Sequence, residues 1–413
     1  MKRNTLLLLL LFVFALITGC VPHTVEPMET QAAAVVPTLT APPQMPASAP
    51  VPQPPPDPVE ERLFAMTLQE KVGQIFVAGV EGTTPGEDGY SAIQDYRVGG
   101  IILFGRNVES AGQLVALTNG LKELNGDYVN LFLAVDEEGG RVSRMPAEVT
   151  DLPSPYDYIR AGGDPHLRGQ ALAEACRVFG FNLDFAPVLD VWSNPANTVI
   201  GNRAMGTDWD QVAALASDAA NGLAENGVVP VVKHFPGHGD TAVDSHVALP
   251  VVDKTLEELR TEELKPFRAA IDASAPAVMV AHILMRQLDP EYPASLSPQV
   301  VTGLLREELG FDGMVVTDDL TMSAILDRYS IGEAAVLAVE AGCDLLLVCH
   351  GAENLKAAYD GLLAAVESGR VTEARLNESV RRILTVKEKF QISAEAVPAP
   401  EVAALNERLE ALS

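Results

Sequence analysis

Residues 313–349 read GMVVTDDLTMSAILDRYSIGEAAVLAVEAGCDLLLVC. The run at 313–318 is apolar and β-branched and closes on Asp318; the run at 344–349 opens on Asp344 and is apolar to its end. Between them, residues 332–341 carry an alanine-rich helical pattern. Both runs are near-continuously hydrophobic rather than alternating. That is the mark of parallel strands covered on both faces.

Outward from this unit the same alternation repeats. Six further runs occupy 74–79, 100–104, 131–136, 182–189, 228–234 and 277–282, making eight. Helical patterns at 111–124, 167–179, 208–226, 256–273 and 298–309 lie between most of them. Eight strands alternating with helices predict an α/β fold, a (β/α)8 TIM-type barrel in a single catalytic domain. A doubly wound open sheet is the competing arrangement on pattern alone. The domain is expected over 58–395, opening with an amphipathic helix in VEERLFAMTLQEKVGQ (59–74) and ending with helices at 354–368 and 372–390. A short tail containing prolines, 396–413, follows.

The front of the chain is different in kind. Lys2 and Arg3 precede an apolar run from Leu6 to Ile17. That run is short of the ~20 residues of a membrane span and suits a signal peptide, 1–19. Ile17-Thr18-Gly19-Cys20 resembles a bacterial lipobox, which implies cleavage before Cys20 and lipidation of its thiol. Residues 20–57, ending in PVPQPPPDP, are too rich in Pro, Ala and Thr to build a core and are expected to be an extended tether. The expected location is therefore the cell envelope outside the cytoplasm, held to a membrane by the lipid alone. Cys176, Cys343 and Cys349 show no CxxC spacing and are expected as buried free thiols.

The net charge of −27 excludes a nucleic-acid surface, which needs clustered Lys and Arg, and a basic membrane-hugging face. In a barrel, chemistry collects where the strands end. Five runs end on polar or ionisable residues: Asp136 with EEGGRVSR, Asp190 leading to VIGNR, Lys233-His234, His282, and Thr317-Asp318-Asp319. Lys233 to His246 holds three of the chain's seven histidines (His234, His238, His246) with Asp240 and Asp244. A metal site is one reading, but Pro236 and Gly237 argue against the helix that would converge His234 and His238 on an ion. Acid/base work is the other. Asp244 can support a protonated His246, and Asp318 can supply the carboxylate across a glycosidic bond. Asp319 can then cap the helix that follows.

KHFPGHGDTAVDSH (233–246) followed by GMVVTDDLTM (313–322) resembles glycoside hydrolase family 3, and closely its β-N-acetylglucosaminidase branch. The motifs LFAMTLQEKVGQ, GGIILFGRNV, AVDEEGGRVSR, NLDFAPVLDV, VIGNRAMG, VMVAHI and AGCDLLLVC occur in that family's order. The resemblance implies a retaining double displacement, with Asp318 as nucleophile and His246 with Asp244 as acid/base. It implies that Asp136, Arg144, Arg203, Lys233 and His234 bind the sugar, that Glu138 to Arg141 shape a turn, and that His238 orders the loop. His282 is a supporting residue behind the site. Met205 stands where an aromatic residue is common, which bears on the outer shape of the pocket.

The implied substrates are β-N-acetylglucosamine-containing glycans, either peptidoglycan fragments or chitooligosaccharides. No cofactor, metal or nucleic acid is implied, and the chain is expected to act as a monomer. A family 3 β-glucosidase or β-xylosidase, phosphorolysis in place of hydrolysis, and a lipid-anchored sugar-binding protein without turnover remain the alternatives.

Overall fold

The computed structural model describes residues 57–241 and 249–412. The signal peptide, Cys20 and the tether lie outside the described residues, as do Asp244 and His246.

Eight parallel strands close into a barrel. They are β1 (Phe76–Gly79), β2 (Gly100–Ile102), β3 (Phe132–Val135), β4 (Leu183–Asp184), β5 (Val229–Phe235), β6 (Ala277–Val280), β7 (Met314–Asp319) and β8 (Leu345–Val348). Each pairs with its neighbour in chain order, and β1 pairs with β8 in the register Phe76↔Leu346 to close the ring. The open sheet is thereby excluded. Continuous hydrophobicity hides a period of two. Val229 and Val231, Leu345 and Leu347 fill the interior with Phe132, Phe185 and Met279. Val228, Val232, Leu346 and Val348 face the helical shell.

Local signals set the helix boundaries. Asp208 caps Trp209–Glu225 by accepting from the Gln211 N–H, and Ser330 caps Ile331–Ala341 at Glu333. Three expectations change. The helix read over 59–74 is two helices, Pro58–Ala65 and Leu68–Gln74. Thr67 breaks it by making a capping box with Glu70, which satisfies donors at a new helix start. The pattern over 256–273 likewise divides into Leu256–Thr261, capped by Thr255 with Glu258, and Leu264–Asp272. Residues 86–95, where no helix was expected, carry Gly86–Tyr90 running into Ser91–Asp95 and make the crossover from β1 to β2.

The end of the chain is more than a tail. Val402–Leu412 is a helix with Leu405 and Leu409 fully buried. Asn406 accepts from the Thr150 N–H at 2.8 Å and donates to the Glu148 carbonyl at 3.0 Å, which fastens the segment that follows Arg144. Cys176, Cys343 and Cys349 are buried free thiols, as their apolar surroundings suggest.

Candidate active site

Three of the five polar strand ends, at Asp136, Lys233-His234 and Asp318-Asp319, meet in one cavity of about 360 Å³. Asp136, Arg144, Arg203, Lys233, His234 and Asp318 all line it. These are the five expected sugar-binding residues and the expected nucleophile. Asp136 follows β3, Lys233 and His234 stand on β5, and Asp318 stands on β7, so the barrel brings together residues up to 182 positions apart.

The charges are paired. Lys233 Nζ lies 2.6 Å from Asp136 Oδ1 and 2.6 Å from Glu138 Oε1. Arg203 donates to both oxygens of Glu138 at 2.7 Å, the planar two-bond geometry that guanidinium favours. Glu138 is therefore more than a turn residue. Gly139 and Gly140, with φ of 75° and 59°, do make the turn, but the glutamate before them points inward and is buried. Burial pushes its carboxyl up; Arg203 and Lys233 outweigh that and hold it well below the usual carboxylate range. Burial also opposes the charge on Lys233, and Asp136 and Glu138 overcome it to raise the lysine above its ordinary value.

The neighbouring Glu137 has the opposite balance. Burial pushes its carboxyl up to about 7, against the Arg144 N–H and the Ser143 hydroxyl that both donate to it. It anchors the backbone of Arg144 at the cavity wall. Arg141 donates to the carbonyls of Val199 and Ile200, tying this turn to the loop that carries Arg203.

Asp190 organises the histidines. Its Oδ2 lies 2.6 Å from His234 Nδ1, and its Oδ1 accepts from the His238 N–H at 2.6 Å. Burial raises the Asp190 carboxyl, and His234 and His238 more than offset it, so the group stays below its ordinary value. Thr241 Oγ1 lies 2.7 Å from His238 Nδ1, and Asn197 donates to the carbonyls of His238 and Gly239, so this stretch is tightly ordered.

On β7, Asp318 Oδ1 accepts from the Asp319 N–H at 2.9 Å. Asp319 does not cap the following helix, which starts at Ser323 after Met322. Instead it accepts from the Thr321 N–H and hydroxyl and from the Cys349 N–H, tying β7 to β8 beside Asp318. His282 supports this arrangement from behind: Nε2 is 2.9 Å from the Asp319 carbonyl and Nδ1 is 2.6 Å from Ser295 Oγ. Met205 is a core residue rather than part of the cavity wall.

Phe104 and His350 are site residues that the strand-end reading passed over, and Glu138 and Asp190 are ones that it met without giving them these roles. Phe104 and His350 line the cavity and stack at 5.5 Å between ring centroids. Each follows the end of a strand, β2 and β8, so the rule that found Asp136 and Asp318 applied to them too.

Residues 67–386 match the family model described as glycosyl hydrolase family 3 N terminal domain. The chain is 37% identical over 304 residues to a β-hexosaminidase of Methylococcus capsulatus, covering 72% of this chain and 87% of that protein. It is 39% identical over 285 residues to a β-hexosaminidase of Xylella fastidiosa, covering 67% and 83%. Among solved structures it is similar to a family 3 β-N-acetylglucosaminidase from Paenibacillus sp., with a TM-score of 0.77 and 44% identity over 84% of this chain and 69% of that one. A β-N-acetylhexosaminidase from Beutenbergia cavernae superposes with a TM-score of 0.73 at 32% identity, covering 78% and 99%.

Proposed function

The chain belongs to glycoside hydrolase family 3, and from that premise we propose that it is a retaining exo-β-N-acetylglucosaminidase of the cell envelope. The observation that carries the reading is the shared cavity of Asp318 with Asp136, Arg144, Arg203, Lys233 and His234. A dense set of donors and acceptors beside one carboxylate suits a terminal sugar with many hydroxyls. The β-hexosaminidase relatives support N-acetylglucosamine as that sugar.

In the proposed reaction Asp318 attacks the anomeric carbon while the bond to the leaving oxygen breaks. His246, supported by Asp244, gives that oxygen its proton. The sugar is then held as an ester on Asp318. Water attacks the same carbon, His246 takes the proton of the water, and the carboxylate leaves. Two inversions return the β configuration. Thr241, whose hydroxyl meets cavity-lining His238, precedes His246 by five residues. The intervening chain spans at most about 18 Å when fully extended.

The test is turnover of nitrophenyl β-N-acetylglucosaminide beside nitrophenyl β-glucoside. Faster release from the first, β-N-acetylglucosamine as the initial product, and no sugar 1-phosphate in phosphate buffer are expected. Faster release from the glucoside would move the assignment to a β-glucosidase, and no release from either would favour a binding role. Sugar 1-phosphate would make the enzyme a phosphorylase.

The envelope location rests on the Leu6–Ile17 run and the Ile17-Thr18-Gly19-Cys20 motif. It places peptidoglycan fragments within reach of a tethered monomer. Mass spectrometry of the protein from its own membranes should find acyl chains on an N-terminal Cys20; an unmodified cysteine there would overturn the anchor.

A further inference from the structure

The walls of the cavity differ in kind. The residues from β3 and β5 are charged or polar, whereas β2 and β8 supply rings. Phe104 follows β2, His350 follows β8, and both line the cavity that Asp318 lines. β2 and β8 are the two neighbours of β1, so the rings meet across its end. Their centroids are 5.5 Å apart and their planes 26° from parallel.

The surrounding backbone fixes this stack. The Phe104 N–H donates to Asn107 Oδ1 at 2.8 Å, and the His350 carbonyl accepts from the Asn354 amide at 2.9 Å. The Arg106 guanidinium lies over the Phe104 ring, 4.6 Å from its centroid, and donates to the Cys349 carbonyl at 2.9 Å. Phe104 is half-buried, but the His350 side chain is 56% exposed. Its Nε2 is 3.9 Å from Asp319 Oδ2, too far for a hydrogen bond. The imidazole is thus an open, oriented surface at the rim of the cavity.

A pyranose presents hydroxyls at its edge and C–H groups on its faces. The edge suits the charged wall. A face suits a ring, whose negative π surface attracts polarised C–H groups. The terminal sugar must reach Lys233 and His234, which are buried. Whatever is attached to it must point the other way, toward the exposed rim. We infer that His350, backed by Phe104, is a specificity-determining residue whose imidazole stacks against the ring of the leaving group. Because the ring is already positioned, little ordering is needed when the substrate arrives. The inference rests on the glycosidase function proposed above.

Full-length His350→Ala and His350→Phe, beside the parent, test it. Two quantities are measured: kcat/KM on N,N′-diacetylchitobiose, and the Ki of N-acetylglucosamine, which fills the terminal-sugar site alone. His350→Ala is expected to lose about 3- to 10-fold in kcat/KM on the disaccharide, the scale of one ring-stacking contact. Its Ki should stay within about twofold of the parent. His350→Phe keeps a ring without imidazole nitrogens and should retain most of the activity.

A loss of about twofold or more on the disaccharide, with Ki unchanged and phenylalanine better than alanine, supports the stacking role. An equal loss in Ki overturns it by placing the contact on the terminal sugar. A smaller loss, or phenylalanine no better than alanine, also overturns it. A parent that binds both sugars but cleaves no glycoside sinks the proposed activity. Calorimetric titration then judges the platform, since His350→Ala should weaken the disaccharide alone. A parent that neither binds nor cleaves sinks both.

Discussion

Asp318→Asn is expected to lower kcat on nitrophenyl β-N-acetylglucosaminide by about 10⁴-fold or more, the scale of removing a nucleophile. The amide is nearly isosteric and can still accept from the Asp319 N–H, so the fold and the sugar contacts should survive. KM should change much less than kcat. His246→Ala supplies the contrast. A nitrophenolate leaves readily without a proton, so this variant should lose only part of its activity on the nitrophenyl substrate. On a sugar–sugar bond the loss should approach the 10²- to 10⁴-fold typical of general acid–base catalysis. Full activity in Asp318→Asn would remove the nucleophile assignment. Equal losses for His246→Ala on both substrates would remove the acid/base assignment.

Glu138→Gln has the second large effect, and it acts on stability as well as rate. Its carboxylate is buried between Lys233 and Arg203, each within 2.7 Å. Removing the charge leaves Lys233 with Asp136 alone and Arg203 facing an amide. Breaking one partner out of a buried ion network costs about 3–5 kcal/mol, because the remaining charges stay desolvated. Chemical unfolding of the variant should show a loss of that order. Lys233 and Arg203 also line the cavity, so kcat/KM should fall by about 10²-fold as their positions relax. A variant within about 0.5 kcal/mol of the parent and kinetically unchanged would show that Asp136 and solvent suffice to hold both cations.

Glu138 also illustrates where a linear reading stops. In Glu137-Glu138-Gly139-Gly140 the glycines announce a turn, and the turn is there. Nothing in four consecutive residues tells which glutamate points to Arg203, which is 65 positions away. Nor does it tell that burial outweighs the nearby Arg144 and Arg168 to lift Glu137 to about 7, while Arg203 and Lys233 hold Glu138 down. Asp190 was legible as an acid just beyond a strand, but its role requires His234 and His238, 44 and 48 residues on. Asp319 looked like a helix cap because a helical pattern follows it. The backbone first closes a turn through Thr321, and the carboxylate goes to β8 instead.

What the sequence by itself determined is the set of properties written in local chemistry. Eight apolar runs spaced by helices specify parallel strands covered on both faces, because such strands must be hydrophobic throughout; the pairing of β1 with β8 decides for the closed barrel over the open sheet. Polar residues at the run ends then mark the catalytic face, since a barrel exposes those ends together. That was enough to single out Asp318 as a candidate carboxylate; the sugar-binding roles of Asp136, Arg144, Arg203, Lys233 and His234 were implied by the family resemblance. Only the tertiary structure decided how the charges are shared and which of the two neighbouring glutamates is held down by cations and which is pushed up by burial. Those outcomes depend on distances between residues far apart in the chain and on how much water each group loses. The C-terminal helix belongs with them: Leu405 and Leu409 are a weak pattern alone and become core only against the helix Pro165–Val178.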